Sequence, residues 1–217
     1  MNPLNRSLLS IAMAALLVSP ASFAFQSPLS DESIREAYFL GQRHDASFLS
    51  NYIKFLPPPK TGPHISSITF LTPFAQFAQF SSNYVGNYSA QQALLNHHGK
   101  EESVKITVEI YLTNSYGALI ANPPASQPHS SALIPRPTDF WKDFRIQVYN
   151  GHQILSPSDS GARPLYRGGR NGPHRPRGAA VDLEFPANAF TSDFVTIQVT
   201  PPEGAPVSVD FDLTRLR

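Results

Sequence analysis

The feature that most constrains the fold is a strict alternation of apolar and polar side chains over residues 104–112. Even positions hold Val, Ile, Val, Ile and Leu, whereas odd positions hold Lys, Thr, Glu and Tyr. Successive side chains of a β-strand point to opposite faces of its sheet. The pattern therefore predicts a strand with one buried face and one solvated face.

The same alternation recurs in four later segments, at 144–148, 181–185, 195–199 and 207–213. Asn150-Gly151 predicts a turn after the first of these segments, and PPEGAP predicts a hairpin between the last two. No helix of crossover length separates the C-terminal strands, which disfavours a parallel α/β sheet. The sequence therefore predicts a mainly β protein, specifically an antiparallel β-sandwich of immunoglobulin-like or similar type.

Two short α-helices are predicted ahead of the sheets. Ser30 is a favourable N-cap, and Asp31 and Glu32 place negative charge at the positive end of the helix dipole. A second helix is predicted over 45–56, with Asp45 as its cap. Three consecutive prolines end it, because proline lacks the backbone donor and restricts the preceding residue.

Two segments between these helices and the main strand require separate interpretation. Phenylalanine recurs at every third residue over 74–80, which matches neither the helical nor the strand period, and we interpret the segment as extended. Residues 90–98 predict a short helix that Ser89 caps and that Gly99 ends in a left-handed conformation.

Residues 1–24 have the three zones of a secretory signal peptide. Arg6 supplies a positive charge, an uncharged apolar run follows over 8–18, and Ser22 and Ala24 form a small-x-small cleavage pattern. A membrane anchor is the alternative, but the run would span only about 16 Å as a helix, roughly half of the hydrocarbon thickness of a bilayer. We predict cleavage after Ala24 and an exported protein, either periplasmic or secreted.

The predicted organisation has three parts: a signal peptide (1–24), a helical N-terminal extension (25–63) and a β-sandwich domain (64–217). Two long connections interrupt the β-sandwich domain, at 114–138 with five prolines and at 156–178 with four. Structureless connections of this length are uncommon in compact domains and tend to be functional or disordered.

Charge and cysteine content exclude several classes of function. The sequence has no cysteine, so it contains no disulfide, no thiolate metal site and no lipidated cysteine. Lys and Arg total 17 against 16 Asp and Glu, and cleavage would remove Arg6 and leave 16 of each sign. A chain without net charge is poorly suited to nucleic acid or to an acidic membrane surface. We therefore predict no nucleic-acid partner and no membrane anchor in the mature chain.

The second long connection contains the densest run of one charge. Guanidinium groups bind carboxylate, phosphate or sulfate through paired hydrogen bonds. The run predicts an anion-binding site, for example for an envelope polysaccharide, and the alternative is a solvated loop that keeps a neutral protein soluble. The predicted anion-binding residues are Arg163, Arg167, Arg170, Arg175 and Arg177.

No motif for catalysis or for a cofactor accompanies this run. The G-x-S-x-G and P-loop patterns are absent. His97-His98 lacks metal-ligand spacing, and Asp210 and Asp212 are interpreted as solvated charges. The sequence therefore predicts no catalytic residue, no metal site and no cofactor.

Three segments resemble an exported bacterial protein family that has no assigned activity. They are LSDESIREAYFLGQRHD at 29–45, YSAQQAL at 88–94 and FDLTRLR at 211–217. The resemblance implies only helices ahead of a β domain, and it supplies no site residue.

The leading hypothesis is an exported, soluble binding or structural protein of the cell envelope, with an unknown envelope or extracellular partner. The alternative is a small secreted hydrolase whose site is built from the connections at 114–138 and 156–178. An enzyme requires a concave pocket with two or more converging titratable side chains. A binding module would instead present a flat sheet face or loop tips, and an assembly subunit would present a free sheet edge.

Overall fold

The structure is a computed structural model that describes residues 25–84, 88–121, 133–166 and 176–217. The predicted signal peptide lies outside these ranges. Every strand pair within them is antiparallel, and strands predominate over helices. The prediction of a mainly β, antiparallel protein is therefore confirmed. No helix in the described ranges has the length and apolar composition needed to cross a bilayer.

Within the described ranges the α-helices precede β3, and strands continue from there to the C-terminal region. The α-helices are α1 (Asp31–Gln42), α2 (Pro73–Ser82) and α3 (Ala90–His97). The strands are β1 (Ile53–Phe55), β2 (His64–Leu71), β3 (Ser103–Tyr111), β4 (Leu119–Ala121), β5 (Leu133–Pro135), β6 (Arg145–Asn150), β7 (Gln153–Leu155), β8 (Asp159–Tyr166), β9 (Pro176–Pro186), β10 (Phe194–Thr200) and β11 (Val207–Asp212). Short 3-10 helices occupy Ala46–Tyr52, Phe140–Asp143, Ala187–Ala189 and Leu213–Arg215.

One sheet has five strands in the order β1-β2-β3-β9-β8. β3 contains the strict alternation, and its apolar side chains Val104, Ile106, Val108 and Ile110 are all fully buried. Its other side chains are half-buried on the outer face of the sheet. The alternation therefore defines which face of this sheet meets the core.

The other large sheet has four strands in the order β11-β10-β6-β7, and β4 and β5 form a separate two-stranded ribbon. Gly151, with φ of 60°, lies in the turn between β6 and β7, where the sequence predicts one. β10 and β11 form the predicted hairpin. These two turn predictions are confirmed.

The two large sheets contribute side chains to a single core. Phe70 of β2 contacts Phe211 of β11, with ring centroids 5.5 Å apart. The Phe70 ring also meets Phe190 edge-to-face at 5.3 Å. Fully buried aromatic contacts of this kind join the inner faces of the sheets without any disulfide.

The predicted long loop at 156–178 contains strand β8 and the first residues of β9, and its residues 167–175 lie outside the described ranges. β8 pairs antiparallel with β9 over eight residues, from Asp159 to Tyr166. β8 shows no apolar alternation in the sequence, because most of its side chains are exposed. Proline is tolerated there because β8 is an edge strand with one unpaired side.

The segment 74–80 is helical, so its interpretation as extended is wrong. Thr72 caps α2 by accepting a hydrogen bond from the Ala75 amide at 3.3 Å, and Pro73 occupies the first turn. Ala75 and Ala78 lie on the buried face of α2. The evenly spaced phenylalanines concealed the helix because alanines, rather than the full set of phenylalanines, form the face that packs.

The region of the second predicted N-terminal α-helix contains a 3-10 helix followed by a strand. Asp45 caps the 3-10 helix Ala46–Tyr52 through the Ser47 amide at 2.8 Å. The chain then enters β1, which pairs with β2. Pairing with the neighbouring sheet satisfies the backbone from Ile53 to Phe55, so the predicted continuation of the helix to residue 56 is wrong.

Arg217 contacts three helical elements that are distant from it in the sequence. Its amide donates to the Tyr52 hydroxyl at 3.0 Å, and its carbonyl accepts from the Thr72 hydroxyl. The guanidinium lies 4.8 Å from the centre of the Phe74 ring and contacts the Glu36 carboxylate. One residue therefore contacts α1, the 3-10 helix and the start of α2.

Arg217→Ala is expected to lower the free energy of unfolding by about 1 kcal/mol. The backbone contacts remain in this variant, and only the contacts to Phe74 and Glu36 are lost. Arg215→Ala is the matched control, because Arg215 is an exposed arginine that pairs with Asp212 three residues away. Urea denaturation measures both variants, and equal changes would contradict a specific role for Arg217.

Candidate functional site

Two of the five predicted anion-binding arginines lie within the described residues, at the outer face of the five-stranded sheet. Arg163 on β8 has its Nε 3.5 Å from a carboxylate oxygen of Asp182. The same carboxylate accepts a hydrogen bond from Thr107 at 2.6 Å and lies 3.7 Å from Lys105 Nζ. Arg163 therefore shares the single carboxylate of Asp182 with Lys105.

Arg177 packs on an aromatic ring of the neighbouring strand. Its guanidinium lies 4.8 Å from the centre of the Tyr111 ring, and the Tyr111 hydroxyl donates to the Glu109 carboxylate at 3.3 Å. Burial and the negative charge of Glu109 raise the pKa of Tyr111. The remaining predicted residues, Arg167, Arg170 and Arg175, lie outside the described residues, so the anion-binding site stays a prediction.

A concave site lies elsewhere, between α2 and the turn that joins α3 to β3. It is a pocket of about 310 Å³ that we call the aromatic pocket. One face of α2 forms its first wall, and the C-terminal end of α3 with residues 100–103 forms the second. Its lining residues are Pro73, Gln76, Phe77, Phe80, Tyr88, Asn96, His97, Lys100, Glu101, Glu102 and Ser103.

Three aromatic side chains give the pocket its apolar surface. The Phe77 ring meets the His97 ring edge-on at 5.8 Å, and Phe80 meets Tyr88 at 6.1 Å with the rings nearly perpendicular. Phe80 lines the cavity and is 45% exposed. Burial raises the pKa of the Tyr88 hydroxyl. The exposed ring of Phe80 therefore offers an apolar surface on which a ligand can pack.

Glu102 lies at the base of the pocket and is fixed by three donors. Its side chain is only 7% exposed. It accepts hydrogen bonds from the Leu29 amide at 2.6 Å and the Ser27 hydroxyl at 2.7 Å. The third partner is His97 Nε2, at 2.9 Å. Glu102 thus ties the segment before α1 to the end of α3 and the start of β3.

The surroundings of Glu102 lower the pKa of its carboxyl group. Burial acts to raise its pKa, but the hydrogen bonds from His97, Leu29 and Ser27 outweigh burial and hold the pKa of this carboxyl below its ordinary value of 4.5. The ionised carboxylate is therefore the form that this site stabilises.

Protonation of Glu102 is expected to destabilise the fold. Because the folded-state pKa lies below the unfolded value, the contribution of Glu102 is present above pH 4.5 and is lost as pH falls through the folded pKa. Thermal unfolding between pH 7 and pH 3 should therefore decline more steeply for the unmodified protein than for Glu102→Gln. Parallel profiles for the two proteins would contradict this role.

The polar side chains at the base of the aromatic pocket are held in fixed positions by hydrogen bonds within the chain. Three of the roughly four acceptor positions of the Glu102 carboxylate are used by donors of the chain itself. The Ser103 hydroxyl donates to Glu184 rather than to His97. No group of three His, Asp or Glu side chains within the described ranges is placed to hold a metal ion.

Glu102 belongs to no sequence motif, and His97 stands out in the sequence only as part of the His97-His98 pair, which lacks metal-ligand spacing. Ser27 and Leu29 are more than 70 positions from Glu102 in the chain. A spacing so long leaves no local pattern that predicts the contact. The position of Glu102 just before the alternating strand is the one signal that the sequence offers.

Comparison with known proteins adds no family to this geometry. The sequence matches no protein-family model, and no curated protein is found to be similar to it. The interpretation of the aromatic pocket therefore depends on the residues that form it.

Proposed function

We propose that this chain is an exported binding protein of the cell envelope that takes its ligand into the aromatic pocket. The observation that carries the proposal is an aromatic-lined cavity of about 310 Å³ with polar groups fixed at its base. Ligand sites are typically concave, lined by aromatic side chains and supplied with a few oriented polar groups. Titratable groups with shifted pKa values, such as Glu102 and Tyr88, also concentrate at such sites.

The proposed scaffold is an immunoglobulin-like β-sandwich with a helical N-terminal extension. Two antiparallel sheets that share one core support the sandwich. A second apolar cluster, in which Ile34, Ala37 and Ala78 are buried, supports the packing of the extension on α2. This scaffold would hold α2 and β3 in fixed positions on either side of the pocket.

Export is the second part of the proposal. The three-zone pattern of residues 1–24 supports it, as does the position of Phe25. That residue would become the first of the mature chain, and it is buried against Phe190 with ring centroids 6.3 Å apart. N-terminal sequencing of protein produced in its own host is expected to begin at Phe25. An intact Met1 would contradict export by cleavage.

Phe80→Ala is expected to weaken ligand binding at least about tenfold, because it removes the most exposed ring of the pocket wall. A library of small organic molecules is screened by ¹H–¹⁵N NMR, and compounds that bind are expected to shift the amides around Phe77, Phe80 and Asn96. Phe194→Ala is the matched control, since Phe194 on β10 is 56% exposed and lies outside the pocket. Shifts that instead cluster around Arg177 would favour the anion site over the pocket.

A further inference from the structure

The aromatic pocket adjoins a second cavity on the other side of the turn that precedes β3. This cavity, which we call the polar trough, has a volume of about 610 Å³. The two cavities share four consecutive residues, 100–103. A ligand that crosses this turn would therefore contact both cavities, and we refer to the two together as the groove.

The polar trough differs from the aromatic pocket in its chemistry. None of the described residues that line it is aromatic, and they combine hydroxyl, amide, ammonium and carboxylate groups with two prolines and an alanine. Its lining residues are Ser27, Pro28, Lys100, Glu101, Glu102, Ser103, Ser158, Glu184, Pro186, Ala187 and Asn188. A ligand rich in hydroxyl groups would find donors and acceptors there.

The charge of the groove restricts the ligand further. Glu101, Glu102 and Glu184 contribute three carboxylates, and Lys100 contributes one ammonium group. The groove is therefore negative overall, which disfavours an anionic polymer. Its occupant differs in charge from the one predicted for the arginine run, so the two sites are separable by experiment.

The floor of the groove is held in place by backbone and side-chain contacts. The Ala187 amide donates to the Glu102 carbonyl at 3.0 Å. The Ser158 amide donates to the Glu184 carbonyl at 2.8 Å, and the Ser103 hydroxyl donates to the Glu184 carboxylate. A surface fixed in this way loses little conformational freedom when a ligand binds.

We propose that the aromatic pocket and the polar trough form one groove for an uncharged oligosaccharide. One sugar ring stacks its C–H face on the exposed ring of Phe80, and the following units lie along the trough, where their hydroxyl groups meet Glu101, Ser158 and Asn188. The proposal rests on the proposed function, because it uses the same pocket as one end of the groove.

The test compares sugar monomers with their oligomers by isothermal titration calorimetry on the chain from Phe25 to Arg217. The probes are N-acetylglucosamine and its β-1,4-linked tetramer, glucose and cellotetraose, and a heparin-derived tetrasaccharide as an anionic comparison. In at least one neutral series the tetramer is expected to bind at least tenfold more tightly than its monomer. The heparin fragment is expected to bind at least tenfold more weakly than that tetramer.

Variants at the two ends of the groove separate its parts. Phe80→Ala is expected to weaken both monomer and tetramer at least fivefold, whereas Asn188→Ala is expected to weaken only the tetramer, at least threefold. The controls are Phe194→Ala and Asn51→Ala, which change exposed residues of the same types outside the groove. Retained thermal unfolding of Asn188→Ala shows that its effect on binding is local.

Three outcomes overturn the groove. Equal affinities for monomer and tetramer, with Phe80 still required, exclude a role for the trough but leave the pocket and the proposed function intact. Tighter binding of the heparin fragment that Phe80→Ala abolishes excludes the uncharged ligand class, whereas heparin binding that Phe80→Ala leaves unchanged belongs to the arginine run and not to the groove. If no sugar binds while a library compound still occupies the pocket, the oligosaccharide is excluded, and the absence of any bound compound overturns the proposed function as well.

Discussion

Gly41→Ala is expected to lower the free energy of unfolding by about 3 kcal/mol. Gly41 lies in α1 where that helix crosses α2. A Cβ atom at this position would lie 2.2 Å from the Ala78 carbonyl oxygen and 2.9 Å from both Ser81 Cβ and the Ser82 amide nitrogen. Two of these neighbours are backbone atoms, so the helices must move apart to accept the methyl group.

The gain in helix propensity does not offset this cost. Replacing glycine by alanine inside a helix favours the helix by about 1 kcal/mol. Separation of α1 from α2 would uncover the apolar cluster between them, which includes Ile34, Ala37 and Ala78. It would also shift Phe77 and Phe80, because both lie on α2, so ligand binding should weaken together with stability.

Gly161→Ala provides the control for this substitution. Gly161 lies in the edge strand β8, and a Cβ atom there would meet nothing within 4 Å. Chemical denaturation of the two variants against the unmodified protein measures the difference. A Gly41→Ala variant as stable as Gly161→Ala would show that the close approach of the two helices is not needed.

Glu102→Ala is expected to lower the free energy of unfolding by about 3 kcal/mol, because hydrogen bonds to a charged group contribute roughly 1.5–3 kcal/mol and their loss leaves donors unpaired. The Leu29 amide, the Ser27 hydroxyl and the His97 ring all lose their common acceptor. The segment before α1 is thereby released from β3.

Glu101→Ala is the control, because Glu101 is an exposed carboxylate on the same turn. Urea denaturation gives the stability difference, and limited proteolysis between residues 25 and 30 reports release of the segment. Glu102→Gln should be intermediate, since its amide keeps an acceptor but loses the charge. A Glu102→Ala variant with the stability and proteolysis pattern of Glu101→Ala would contradict the anchoring role.

The sequence predicts the strands well because their signal is local. The alternation around Ile106 is visible without any partner strand, and the same holds for the hairpin between β10 and β11. Helix capping is local too. Ser89 accepts from the Gln92 amide at 3.2 Å, as its position before α3 predicts, and Gly99 adopts a φ of 76°.

Elements whose stability comes from tertiary contacts are harder to predict. Residues 53–55 read as the end of a helix and form β1 because β2 is available as a partner. Residues 74–80 form α2 because Ala75 and Ala78 fit against neighbouring elements, which the spacing of the phenylalanines does not reveal. Packing overrides local preference in both segments.

The candidate site could not be predicted because it is assembled from distant segments. The aromatic pocket combines one face of α2, the end of α3 and the turn before β3, and Glu102 at its base is held by Ser27 and Leu29. None of these residues forms a motif in the sequence. The arginine run is visible in the sequence because its members are close together in the chain.

The edges of the five-stranded sheet have a consequence for behaviour at high concentration. β8 contains Pro164, which offers no amide donor, and Arg163 adds a charged side chain beside it. At the opposite edge β1 is only three residues long. Short, charged and proline-interrupted edges are poor templates for edge-to-edge pairing. This sheet is therefore protected against self-association through its edges, and concentrated solutions should resist fibril formation by this route.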